Sequence, residues 1–96
     1  MSPKNKKKLE IIRKKLDQID NQLLEIIKKR TLLVNEVVKL KENKSEIVDQ
    51  KRISSILKNI KAKSIKNNID PKITNRIWKN MIWSYINYER RNFKKK

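Results

Sequence analysis

The chain of 96 residues contains no cysteine, no histidine and no glycine. Without cysteine there are no disulfides, thiolate nucleophiles or cysteine-ligated metals. Without histidine, the commonest general base and a frequent metal ligand are missing. Without glycine, no Gly-rich phosphate loop can form. No apolar run approaches the roughly 18–20 residues that a membrane span needs. The basic start "MSPKNKKK" leads into no apolar core of about 7–15 residues, so it does not read as a secretory signal. A soluble cytoplasmic protein without metal or cofactor is expected.

Positive charge is abundant. Lys and Arg number 27 against 10 Asp and Glu, a formal net charge of +17. So large an imbalance weakens a compact monomer by self-repulsion and favours anionic partners. A chain of this length forms one domain, 1–96, with a modest core. The basic segments 1–8 and 92–96 are expected to fray.

The fold class reads as all-α. Leu9, Ile12, Leu16, Ile19, Leu23, Ile26, Arg30, Leu33, Val37 and Leu40 follow one another at alternating spacings of three and four. This is a heptad seam with one non-apolar member, Arg30. It predicts a helix from about Asn5 to about Glu42, on the order of 55 Å long. So long a helix needs a partner to cover its seam, either the rest of the chain or a second copy. After the polar break "ENKSE", Asp49 is a good N-cap for a shorter helix carrying Ile53, Ile56, Leu57 and Ile60. Asp70 followed by Pro71 starts a third helix. Its inward set is expected to be Ile73, Ile77, Met81, Ile82, Tyr85 and Ile86. Two chains of three such helices would build a six-helix bundle.

Arg30, Val34, Val37 and Lys41 share one face, with the two cations about 16 Å apart. The cations can reach the surface along their aliphatic stems, or Arg30 can pair with a core carboxylate. Alternatively, they form an anion site inside a bundle, since a buried cation needs an anionic partner. Arg13 lies roughly 25 Å along the helix from Arg30, too far to grip the same small molecule in one chain. In an antiparallel dimer, Arg13 of one chain can approach Arg30 of the other.

The stretch "RKKLDQIDNQLLEIIKKRTLLVNEVVKLK", followed by "VDQKR" and "IWKNMIWSYINYE", resembles the all-α class of chorismate mutases over residues 9–93. The resemblance implies an intertwined homodimer in which chorismate, a small dicarboxylate, rearranges to prephenate for phenylalanine and tyrosine synthesis. Arg13 matches the arginine donated across the dimer to one substrate carboxylate. Arg30 matches the arginine that binds the other carboxylate. Lys41 matches the lysine at the ether oxygen. Asp49 and Arg52 match positions contacting the substrate hydroxyl and carboxylate. Glu89 falls where the family carries Gln or, in some members, Glu. Tyr85 falls at a position often held by Ser, and Val37 and Ile82 correspond to apolar walls.

The reaction suits a chain without His or Cys. A pericyclic rearrangement needs no nucleophile, metal or proton transfer. The protein must hold a flexible dianion in its reactive conformer and stabilise charge growing on the ether oxygen. Arginine forks serve the first task, and Lys41 serves the second. Glu89 can be a second donor to that oxygen only when protonated, which predicts a rate that falls as pH rises. The plain alternative for Glu89 is a solvated residue beside Arg90 and Arg91.

Two positions depart from the family pattern. Ile53 stands where the family commonly has Glu, and in this it is similar to the isochorismate-pyruvate lyases of the same fold. "IWSYINYE" is also similar to their third helix. Asp49, which those lyases tend to lose, favours the mutase. Tyr85 adds bulk and a hydroxyl. A basic helical nucleic-acid-binding protein is the main non-enzyme alternative, but the lysines are spread over the exposed faces and no specific nucleic-acid partner is expected. A purely structural coiled coil accounts for the seam but not for Arg30.

Overall fold

A computed structural model describes residues 1–94. Three helices follow in order: α1, Pro3–Leu40; α2, Gln50–Lys66; and α3, Pro71–Asn92, with a short 3₁₀ turn at Lys44–Glu46 before α2. No strand occurs among the described residues. The chain divides into two compact units, Met1–Leu33 and Val34 onward.

The first unit is helix alone. Helix α1 starts earlier than the seam predicts. Ser2 Oγ accepts from the Asn5 amide at 3.2 Å, and Pro3 needs no amide partner at the first helical position. The helix runs from Pro3, so most of the basic segment 1–8 lies within its bounds. The seam is formed but uncovered in the single chain: Ile12, Leu16, Ile19, Leu23 and Ile26 are each at least 50% exposed.

The second unit holds the core. Ile47, Ile82 and Ile86 are buried together, with Val48, Ile53, Ile56, Leu57 and Phe93 packed around them. Ile47 comes from the connection, not from a helix. It is delivered by the 3₁₀ turn, where Glu46 Oε2 accepts from the amides of Glu42 and Asn43 at 2.7 and 3.1 Å. Helix α2 begins as predicted, with Asp49 Oδ1 accepting from the Arg52 amide at 3.0 Å. Helix α3 begins likewise, with Asp70 Oδ1 accepting from the Lys72 amide at 2.9 Å. The end of α2 needs a residue in the left-handed region. With no glycine in the chain, Asn68 takes that conformation at φ 57°. The Ile69 amide then donates to the Ser64 carbonyl at 2.8 Å, and the Asn68 amide to that of Ile65 at 3.2 Å, closing a Schellman turn.

Helix α3 buries a face rotated from the expected one. Thr74, Ile82, Ile86 and Glu89 are buried, while Ile73 and Ile77 remain more than half exposed. The reason is visible at Thr74, whose hydroxyl meets that of Ser64 on α2 at 2.7 Å. Ser64 also donates to the Ile60 carbonyl at 2.6 Å. A hydroxyl pair so buried fixes the facing sides of α2 and α3. Ser64→Ala should cost about 1–3 kcal/mol, because it strips Thr74 of its cross-helix partner. Ser64→Ala/Thr74→Val should recover most of that loss, as read by urea unfolding. The C-terminal segment expected to fray begins within α3 at Asn92; Lys95 and Lys96 lie outside the described residues.

Candidate active site

The candidate residues of the second unit come from three places: the end of α1, the start of α2 and the inward face of α3. Lys41 follows the last residue of α1 and is half-buried. Its Nζ lies 3.0 Å from Glu89 Oε1, with the two side chains 19% and 9% exposed. Glu89 is placed by periodicity. It falls three and seven residues after Ile86 and Ile82, on the stripe that α3 buries. A carboxylate at that depth needs a charged, hydrogen-bonded partner, and Lys41 supplies it across 48 positions of sequence. The resemblance assigns both residues to one expected site. The structure brings them together.

A second polar contact holds the end of α1 to α3. Tyr88 Oη donates to Asn35 Oδ1 at 2.7 Å. Val38, which lies between Asn35 and Lys41 in sequence, is buried. Tyr88 in turn meets Tyr85 edge to face, ring centroids 6.3 Å apart. The Asn35–Tyr88 contact is one that the sequence reading missed. The available signal was a lone amide inside the apolar run "LLVNEVV". Val37, expected as an apolar wall, is 45% exposed in the single chain.

At the start of α2, Asp49 and Arg52 are linked through the N-cap and both side chains are exposed. Ile53 is half-buried and packs against the same core that contains Ile82. These two candidate residues thus stand in one apolar cluster. Arg13, exposed, and Arg30, half-buried, belong to the first unit. A cleft of about 420 Å³ is lined by Asn35, Val38, Lys39, Tyr88, Asn92 and Lys94. None of the ten candidate residues is among its lining.

The chemistry available is electrostatic. Lys41 has three donors, and Glu89 Oε1 engages one. An oxygen developing negative charge can take another without displacing the pair. Among the described residues no group of three or more His, Cys, Asp or Glu is placed to hold a metal. No helix of the described residues is long and apolar enough to cross a membrane.

A family model described as chorismate mutase type II matches residues 12–90. No curated protein and no solved structure gives a significant match.

Proposed function

We propose that this chain, which belongs to the chorismate mutase type II family, rearranges chorismate to prephenate as an intertwined homodimer of six helices. The contact between Lys41 and Glu89 at 3.0 Å is the observation that carries the reading. It is a fixed cation beside a buried carboxyl, the arrangement needed to meet charge on a breaking ether bond. The uncovered seam of α1 supports association, because exposed apolar surface on that scale calls for a partner. A second copy would cover the seam and bring its Arg13 toward Arg30. The two arginines would grip the two carboxylates of the substrate, and their attraction for a dianion would offset the repulsion between two basic chains.

The remaining roles rest on the family resemblance. Asp49 and Arg52 would meet the substrate hydroxyl and carboxylate at the start of α2. Val37, Tyr85, Ile82 and Ile53 would close the apolar and aromatic sides. Compaction of the substrate among these groups supplies the orientation that the rearrangement requires. Such an enzyme would serve aromatic amino-acid synthesis.

Isochorismate-pyruvate lyase activity is the second reading, and Ile53 favours it. An apolar side chain in the core cluster offers no acceptor to a substrate hydroxyl. The test is direct. Purified protein should deplete chorismate absorbance and yield prephenate; pyruvate release from isochorismate without prephenate formation would establish the lyase instead.

The pair also predicts the outcome of a substitution. Glu89 accepts from Lys41, and a second donor to the ether oxygen would require a neutral group at that position. Glu89→Gln carries a permanent donor of similar shape and should retain or raise kcat. Loss of activity in that variant would reduce Glu89 to a residue that holds Lys41 in place.

A further inference from the structure

We infer that the outer face of α3 binds single-stranded nucleic acid without regard to sequence. Lys72, Arg76, Lys79, Trp83, Asn87 and Arg90 succeed one another at spacings of four, three, four, four and three. That is one continuous face of a helix, about 27 Å long from Lys72 to Arg90. All six residues are exposed, and Trp83 is 46% exposed.

What singles out this stripe from the general positive charge is its company. Between Gln50 and Lys94 the only acids are Asp70 and Glu89. Asp70 caps α3, and Glu89 is buried against Lys41. No carboxylate on the outer surface of α3 therefore neutralises these cations. A second copy of the chain is a poor occupant, because four cations would face a partner that is equally basic. An anionic membrane is also a poor occupant, since the stripe holds a single apolar side chain and insertion needs a broad apolar face. A row of cations around an exposed indole matches the combination that single strands use, with phosphates tracking the charges and a base stacking on the ring. A closed duplex offers charge but no free base face.

The test uses the full chain and a twelve-residue oligothymidylate. Binding is followed by fluorescence anisotropy and by tryptophan quenching at several salt concentrations. Affinity should fall with salt, with a log–log slope of about −2 to −3, as three or four phosphate contacts require. Trp83→Ala should weaken binding by about tenfold or more, the scale of one stacked base. Lys72→Gln/Arg76→Gln/Lys79→Gln should flatten the salt dependence. Lys51→Gln/Lys58→Gln/Lys66→Gln removes the same charge from α2 and should change affinity less than about threefold. Chorismate turnover should be unchanged in all three variants. The inference is overturned if the oligonucleotide does not bind at low salt. It is equally overturned if Trp83→Ala binds as tightly as the parent, or if the α2 variant loses as much as the α3 variant. Tighter binding to a twelve-pair duplex, or to vesicles of phosphatidylserine and phosphatidylcholine, would also contradict it.

Discussion

Arg30→Ala is expected to lower kcat/KM for chorismate by at least about 10³-fold, the scale of losing a charged group from a preorganised electrostatic site, while leaving the protein associated and helical. Every other seam member is apolar, and Arg30 is half-buried on a helix whose neighbouring seam residues are half exposed. Alanine is the best helix former and removes a cation from an apolar stripe. The substitution therefore should not unwind α1 or weaken the proposed pairing with a second copy. It removes a planar fork that can hold a carboxylate by two parallel hydrogen bonds. Arg30→Lys keeps the charge and loses the fork, so it should fall between the parent and Arg30→Ala. Helix content by circular dichroism and mass by analytical ultracentrifugation would accompany the rates. Full activity in Arg30→Ala would show that the site assignment is wrong.

Lys41→Ala should produce two losses that can be separated. The first is catalytic, about 10²–10³ in kcat, because the donor proposed for the breaking ether bond disappears. The second is structural. Glu89 is only 7% exposed and would be left buried without Lys41, at a cost of about 2–3 kcal/mol. Lys41→Ala/Glu89→Gln replaces the stranded charge with a neutral amide. Stability should then recover substantially, while kcat stays low. Chemical denaturation and steady-state kinetics on the three proteins distinguish the effects. If kcat recovered together with stability, Lys41 would be acting through the fold and not on the substrate.

The helical framework was legible because its signals are local. The three-and-four rhythm from Leu9 to Leu40 gives α1 to within two residues at each end. Asp49 and the Asp70–Pro71 pair mark the starts of α2 and α3 by chemistry that acts over two or three residues. What escaped depends on contacts distant in sequence. The rhythm of α3 admits several inward faces, and the hydroxyl pair of Ser64 and Thr74 selects one that leaves Ile73 and Ile77 outside. No sequence period announces that pairing. Asn68 was equally unreadable, because its left-handed turn is a role that glycine usually fills.

The candidate site was legible in a different way. A chain without Cys or His lacks the commonest nucleophilic and metal-binding side chains, and the seam drew attention to Arg30. Nothing local connects Lys41 to Glu89, 48 positions apart. The resemblance placed them in one site, and the fold supplies the contact. Asn35 and Tyr88 were overlooked because each is an ordinary helix-surface residue until the end of α1 is laid against α3. The compositional charge divides into parts of different meaning. Lys41 is engaged inside the fold, whereas the cations along α3 share a face with Trp83.

The most direct test of the central claim is a single incubation series in which purified protein is given chorismate or isochorismate, with products resolved by chromatography. The account predicts prephenate from chorismate and no pyruvate from isochorismate. Pyruvate without prephenate, or no turnover of either substrate by the folded protein, would contradict it.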